Sequence, residues 1–265
     1  MAKKKDGRVT ARANEVRVLR SLQRFGWLRT KDVAALCWTR WASKPNDALN
    51  LAPVQANASS LRMAQRTLKR LKLKRCVLAS QAPDGSFVYA LAEAGVRLLL
   101  QLGLQSQSGK DLVRNFSSAF FRHRCISNQI AIAAITQGFR VSTEREIAQG
   151  LCPGGVQGIE GKRPDVIVRD GKQAIFCEVE RSRKKSAEYQ ALLLWLEKIL
   201  RLKANVYVSL EVENLFLIQV IFICTDAFRI RLQKDLEARG WMVSQQETLI
   251  NYSTTLYNFR DIIFP

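Results

Sequence analysis

The sequence predicts an α+β chain of two domains. Residues 13–105 read as a winged helix-turn-helix, and residues 115–265 as an α/β domain with a mixed sheet flanked by helices. Three observations lead there. Residues 14–102 run helix, helix, basic helix, hairpin, helix. Residues 139–244 run through a strand meander into helix, strands, helix and strand. Between them lies the polar stretch Gly103–Lys110 (GLQSQSGK), overlapping a linker placed at 106–114.

Residues 1–12 form a basic arm, expected to be disordered until it meets a partner. From Asn14, the apolar positions Val16, Val18, Leu19, Leu22 and Phe25 follow helical spacing, and Gly26 stops the helix. Thr30 is expected to cap a second helix, Lys31 to Cys37. Residues 39–56, with Pro45, Asn46, Asp47, Asn50 and Pro53, read as an irregular insertion. A third helix, Ser59 to Leu73, buries Leu61, Ala64, Leu68 and Leu71. Arg62, Gln65, Arg66, Lys69, Arg70 and Lys72 cover its other sides. Strands Arg75–Ser80 and Phe87–Leu91 flank the Pro83-Asp84-Gly85 turn, and a helix over Ala92–Leu102 follows. In this arrangement the third helix would place Arg62, Arg66, Lys69, Arg70 and Lys72 in the major groove of double-stranded DNA, and the hairpin would touch the backbone. The competing reading is a solvated helix face on a protein-interaction module.

The second domain opens with a helix over about Asn115–Gln137, then a short strand, Phe139–Ser142. After a glycine-rich stretch, 150–163, come strands Asp165–Arg169 and Ala174–Glu180 joined at Asp170-Gly171. A helix over Ser186–Leu202, strands Val206–Leu210 and Leu215–Cys224, a helix over Ala227–Arg239 and a last strand, Trp241–Ser244, complete it. Trp195, Leu192, Leu196 and Ile199 form a core stripe on the first of those helices.

Charge separates the two halves. The chain carries 42 Lys and Arg against 23 acids, a formal charge of +19, which calls for a polyanionic partner. Residues 1–110 hold 21 bases and 6 acids; the other 17 acids lie in 111–265. The first half is therefore suited to gripping phosphates and the second to chemistry that needs carboxylates. Six cysteines without a CxxC pair, and a single histidine, argue against a zinc site. Cys125, Cys177 and Cys224 sit in apolar surroundings and read as buried thiols of a reducing cytoplasm. No apolar run reaches the roughly 18 residues that a membrane span needs, and no signal peptide is expected behind Met1-Ala2-Lys3.

The chemistry is expected at Asp165, Glu178 and Glu180. Asp165 opens one strand of a hairpin, and the glutamates close the partner strand. Positions i and i+2 of a strand share a face, so both glutamates project together and the turn brings Asp165 alongside. Three converging carboxylates repel unless a cation neutralises them, and a hard divalent ion such as Mg²⁺ does so. The alternative is that the acids are solvated or pair with Arg181, Arg183 and Lys184.

Arg163-Pro164-Asp165 followed by a hairpin and Glu178-Val179-Glu180 resembles the PD-(D/E)xK nuclease superfamily, with Glu180 where many members have lysine. The wider set is His123 and Asn128 on the opening helix, Thr143-Glu144-Arg145-Glu146, Arg163-Pro164-Asp165, and Glu178-Val179-Glu180-Arg181-Ser182-Arg183-Lys184. It resembles the MobC-type conjugative relaxases of the replication-relaxation family over roughly residues 12–245. The resemblance implies a restriction-endonuclease-like second domain, Mg²⁺ or Mn²⁺ held by Asp165, Glu178 and Glu180, and Lys184 as a nearby cation. Glu144 or Glu146, with Glu144 favoured, would be a further acid. It also implies metal-dependent nicking of plasmid DNA at a transfer origin, alongside relaxosome accessory or coupling proteins. A non-catalytic replication or relaxosome regulator and a double-strand-cutting restriction enzyme are the competing readings. His123 and Asn128, about 140° apart around a helix, are accessory candidates, with core packing the alternative for His123. The run Gly154–Lys162 fails as a phosphate-binding loop: Val156 sits where its first glycine belongs, and Arg163 follows the lysine. It reads instead as a mobile loop beside the acidic site.

Overall fold

The structure, a computed structural model, describes residues 7–114, 118–180, 186–204, 207–210 and 214–257. The chain divides into two compact units, 1–42 with 53–124, and 43–52 with 125–265.

The first unit contains α1 (Gly7–Phe25), β1 (Trp27–Arg29), α2 (Thr30–Trp38), α3 (Ala58–Leu73), β2 (Val77–Gln81), β3 (Phe87–Leu91) and α4 (Glu93–Gln101). Its antiparallel sheet has the order β1-β3-β2. Val18, Leu19, Leu22 and Phe25 of α1 are buried with Val33 and Leu36 of α2 and Ala64, Leu68 and Leu71 of α3. Helical spacing in the sequence puts these side chains on inward stripes. Gly26 takes a positive φ of 77° and its N–H closes α1 on Leu22 O at 2.8 Å, a C-terminal turn that glycine adopts without a Cβ penalty.

Several local expectations change. α1 starts at Gly7, so residues 7–12 of the expected arm are helix. The cap of α2 is Arg29, not Thr30: its N–H donates to Asp32 Oδ2 at 3.0 Å, and its guanidinium meets the same carboxylate in two bonds of 2.9 Å, with both side chains buried. β1 is too short for alternation to reveal it, yet it pairs Leu28 with Tyr89. The expected linker packs on this unit. Gly109 N–H bonds Leu91 O, and a Cβ at Gly109 would stand 2.6 Å from that of Ala90.

The division between units falls inside α5 (Ser118–Thr136), which runs unbroken across it. The second unit then adds β4 (Arg140–Ser142), α6 (Glu144–Ala148), a 3₁₀ turn at Gly155–Gln157, β5 (Val166–Asp170), β6 (Gln173–Glu180) and α7 (Ser186–Arg201). β7 (Lys203–Ala204), β8 (Tyr207–Leu210), β9 (Leu215–Cys224), α8 (Asp226–Ala238), α9 (Val243–Leu249) and β10 (Ile250–Ser253) follow. The insertion is divided. Residues 43–52 belong here, and Asn50 exchanges two hydrogen bonds with the Gln137 amide, at 2.9 and 2.7 Å.

The sheet is mixed, in the order β4-β5-β6-β9-β8-β7, with β10 parallel to β9. β4, β5 and β6 form an antiparallel meander, and β6 pairs with β9 in parallel. A parallel neighbour requires a crossover, and α7 lies in that connection. Its stripe of Leu192, Trp195, Leu196 and Ile199 is buried in one cluster with Phe176 of β6 and Phe222 of β9; Phe176 stacks on Trp195 at 6.2 Å.

The β6–β9 register shifts between Ala174 and Ile175, whose partners are Leu217 and Gln219. One extra residue, Ile218, is thus inserted in β9. Leu215 and Leu217 before it, and Val220, Phe222 and Cys224 after it, all reach the same core cluster. Uninterrupted alternation would have sent the two groups to opposite faces.

The last strand is not Trp241–Ser244. Met242 N–H bonds the Gln245 side chain at 2.9 Å, α9 begins at Val243, and Gln246 and Leu249 turn inward at helical spacing. The strand comes later, as β10. Cys125, Cys177 and Cys224 are buried free thiols, as the sequence reading has them. Among the described residues no helix is long and apolar enough to cross a membrane.

Candidate metal centre and its acidic surround

The hairpin β5–β6 carries Asp165 immediately before one strand and Glu178 and Glu180 at the end of the other. Val166 faces Cys177 in the antiparallel register, which sets Asp165 opposite Glu178. Asp165 Oδ2 accepts the Val179 N–H at 2.7 Å, fixing the start of β5 against the end of β6. Glu178 and Glu180 continue the inward row of Ala174 and Phe176 and are only 4% and 5% exposed.

The structure gathers a different group of three around Asp165. His123 of α5, Glu144 of α6 and Asp165 each offer one ligand atom, and these atoms lie within 4.8 Å of one another. Among the described residues this is the group able to hold a metal ion; of the expected trio it contains only Asp165. His123, read as an accessory position, and Glu144, read as the favoured further acid, thus stand together with Asp165. The physical reason is where β4 stops. It ends at Ser142, opposite Ile167, so the next turn of chain sits at the Asp165 end of β5.

Local chemistry separates the two candidate acids of that turn. Thr143 caps α6, its hydroxyl accepting from Glu146 N–H at 3.2 Å, while Glu146 Oε2 accepts the Thr143 N–H at 2.9 Å. This reciprocal box commits Glu146 to the helix end. Glu144, two residues earlier, is the one that joins the group. Asn128 is buried on α5 and does not belong to it.

Glu178 has a partner that the sequence reading passed over. Lys162 Nζ lies 3.0 Å from its Oε2 and sits 5.6 Å over the ring of Trp195. The glycine-rich stretch that delivers Lys162 is anchored rather than loose. Ile159 and Lys162 exchange two backbone bonds, and Trp195 Nε1 donates to Ile159 O at 3.2 Å. Gly158 has φ 71°, and a Cβ there would stand 2.3 Å from Lys162 O, so only glycine lets the loop close. Among the described residues, Glu178 Oε1 has no hydrogen-bond partner.

Burial pushes the Glu178 carboxyl up, to about 7; Lys162 opposes this, and Asp165 and Glu180 add to it. Burial works to lower the pKa of Lys162, but Glu178, Glu180 and Asp165 outweigh it and hold the ammonium above the ordinary lysine value. Lys184, Arg181 and Arg183 lie outside the described residues. The one signal that could have marked Lys162 was its place three residues before Asp165.

In the first unit, Arg62, Arg66, Lys69 and Lys72 are exposed on α3. Arg70 is already engaged. Its Nε lies 3.3 Å from Glu15, whose carboxylate is 2% exposed and also takes both contacts of Lys74, at 2.7 and 2.8 Å. Arg70 thus belongs partly to the packing of α3 on α1.

A scan against protein-family models, a search of curated proteins and a search of solved structures each returned no match.

Proposed function

We propose that the chain is a metal-dependent DNA endonuclease. In the finer form, it is a relaxase that nicks plasmid DNA at a transfer origin, with a winged helix gripping the duplex and a PD-(D/E)xK-like domain cutting it. The observation that carries the reading is the convergence of His123, Glu144 and Asp165 beside the Glu178–Lys162 pair. The meander β4-β5-β6 with β9 parallel to β6 supports it, since it sets Asp165 opposite Glu178 at one end of the sheet. The order of elements in the first unit and the excess of bases there support the DNA half.

One imidazole and two carboxylates suit a borderline divalent ion better than Mg²⁺, which prefers oxygen alone. His123, Glu144 and Asp165 would hold it. A metal so held lowers the pKa of water and neutralises charge on a phosphate in transit. Around it, the Val179 N–H orients the Asp165 carboxylate, and Lys162 keeps a positive charge beside Glu178 where the scissile phosphate would approach. The test is incubation with supercoiled plasmid. Mn²⁺ is expected to support nicking better than Mg²⁺, and EDTA to stop it. An EDTA-resistant activity, or none with any divalent ion, would overturn the proposal.

The nucleophile is expected to be water rather than a tyrosine. Tyr189 is buried with its hydroxyl on Asp235 at 2.8 Å, and Tyr257 is buried with its hydroxyl on Leu51 O at 3.0 Å. Burial pushes the pKa of Tyr189, Tyr252 and Tyr257 well above the ordinary phenol value. The Tyr207 side chain lies outside what the structure describes. Nicked plasmid run under denaturing conditions should carry no covalently attached protein; a tyrosyl adduct would refute this.

Duplex binding should depend on Arg66 and Lys69. Their double replacement by alanine is expected to lower the salt dependence of log K by about 2, one for each lost phosphate contact, with the melting temperature unchanged. Arg70→Ala should differ by also lowering the melting temperature, since it removes a partner of the buried Glu15. Equal DNA affinity in the Arg66/Lys69 variant and the parent would remove α3 from the interface.

A further inference from the structure

The first unit holds a cavity of about 600 Å³ between the end of α3, the start of β2 and the first turn of α4. Five cations line it: Lys72, Lys74, Arg75, Arg97 and Lys110. Glu93 is the one acid on the lining. Lys74 is neutralised by the buried Glu15. The other four have no ion-pair partner among the described residues. Like charges gathered around one hollow repel each other, a cost that an anion in the hollow removes.

The backbone adds to this field. α4 is nine residues long and starts on Ala92, which has no side-chain acceptor for the N–H groups of the first turn; Ala92, Glu93 and Ala94 line the cavity. A helix start without a cap attracts negative charge. The lining also includes the apolar side chains of Val77 and Leu78. Gly95 seats α4 there, since a Cβ on it would stand 2.2 Å from Cys76 O.

We infer that this cavity binds a phosphate-bearing ligand, its phosphates on Arg75, Arg97, Lys110 and Lys72 and its less polar part over Val77 and Leu78. The site is distinct from the exposed row Arg62, Arg66 and Lys69. It lies at the end of α3 away from the Asn57 cap, and at the end of β2 away from the Pro83–Gly85 turn. The volume accommodates a nucleoside triphosphate. The same chemistry could be met by a free nucleotide or by a backbone phosphate of bound DNA.

Two titrations of the full-length protein in EDTA distinguish these sources, one with adenosine triphosphate by calorimetry and one with a short duplex by fluorescence anisotropy. Arg97→Ala/Lys110→Ala is compared with Arg66→Ala/Lys69→Ala; all four side chains are exposed, so both variants should fold. For a free nucleotide, adenosine triphosphate binds at one saturable site. The Arg97/Lys110 variant then weakens it at least tenfold, and the Arg66/Lys69 variant leaves it unchanged. For a backbone phosphate, adenosine triphosphate does not saturate, and the Arg97/Lys110 variant weakens the duplex tenfold with a shallower salt dependence. If the Arg97/Lys110 variant changes neither titration, the inference is wrong.

Discussion

Replacing Asp165 with asparagine should reduce metal-dependent nicking by at least about a hundredfold, more than is lost when a metal's outer partners are removed. Asparagine keeps the size of the side chain and an oxygen to accept the Val179 N–H, so the β5–β6 junction should persist. What disappears is the charge that would hold the ion. Glu144→Gln should behave likewise. Glu146→Gln provides the contrast: its amide oxygen still accepts the Thr143 N–H, so the cap of α6 should hold and nicking continue. Neutralising Asp165 removes repulsion toward phosphate, so duplex affinity should stay level or rise. Nicking rates, melting temperatures and duplex titrations on the three variants decide the matter. An Asp165→Asn protein that still nicks, or a Glu146→Gln protein that does not, would overturn the assignment.

Lys162→Met should lower the melting temperature sharply at pH 8 and scarcely at all at pH 5. At pH 8 the substitution leaves a buried carboxylate without its ammonium, which costs about 3–5 kcal/mol when a buried pair is broken from one side. A carboxyl whose folded pKa is raised keeps a proton that the unfolded chain gives up. Stability therefore falls as pH rises from about 4.5, the ordinary value, through about 7. Lys162 restrains that fall. Without it the Glu178 pKa climbs further and the loss at high pH deepens; below pH 5 the carboxyl is protonated in either protein and the difference closes. Adding Glu178→Gln to Lys162→Met should restore most of the stability at pH 8. Thermal melts in EDTA at the two pH values, on the single and double variants, check this. A loss equal at both pH values would mean that Lys162 acts through its packing on Trp195 alone.

Most regular elements were legible because their signals are local. Phe87–Leu91 and Leu215–Cys224 have the limits that the sequence predicts, each marked by a turn or by strand-forming residues on both sides. β1 and β7 were not legible, being three and two residues long; such strands exist because a longer neighbour offers them hydrogen bonds. The candidate site divides along the same line. Glu178 and Glu180 facing one way follows from alternation, and Asp165 opposite Glu178 follows from a short turn. His123 meeting Glu144 and Asp165 depends on a helix and two separate strand ends, distances that no spacing in the chain encodes. Lys162 was hidden for a related reason. Its loop closes through glycines with positive φ and a bond to Ile159 from Trp195, 36 residues further along the chain.

The extra residue in β9 gives the strand slack. Deleting Ile218 would join Leu217 to Gln219, and simple alternation would then keep Leu215, Leu217, Val220, Phe222 and Cys224 all facing inward. Deleting any single residue between Val220 and Cys224 would invert part of the strand beside Glu178 and Glu180, whose partners are Phe222 and Cys224. The strand is thus tolerant of a change in length at one point and intolerant a few residues later. Among the described residues the β7–β8 hairpin pairs with β9 only in the stretch before Ile218, so a change in its length falls away from the end that carries the acids.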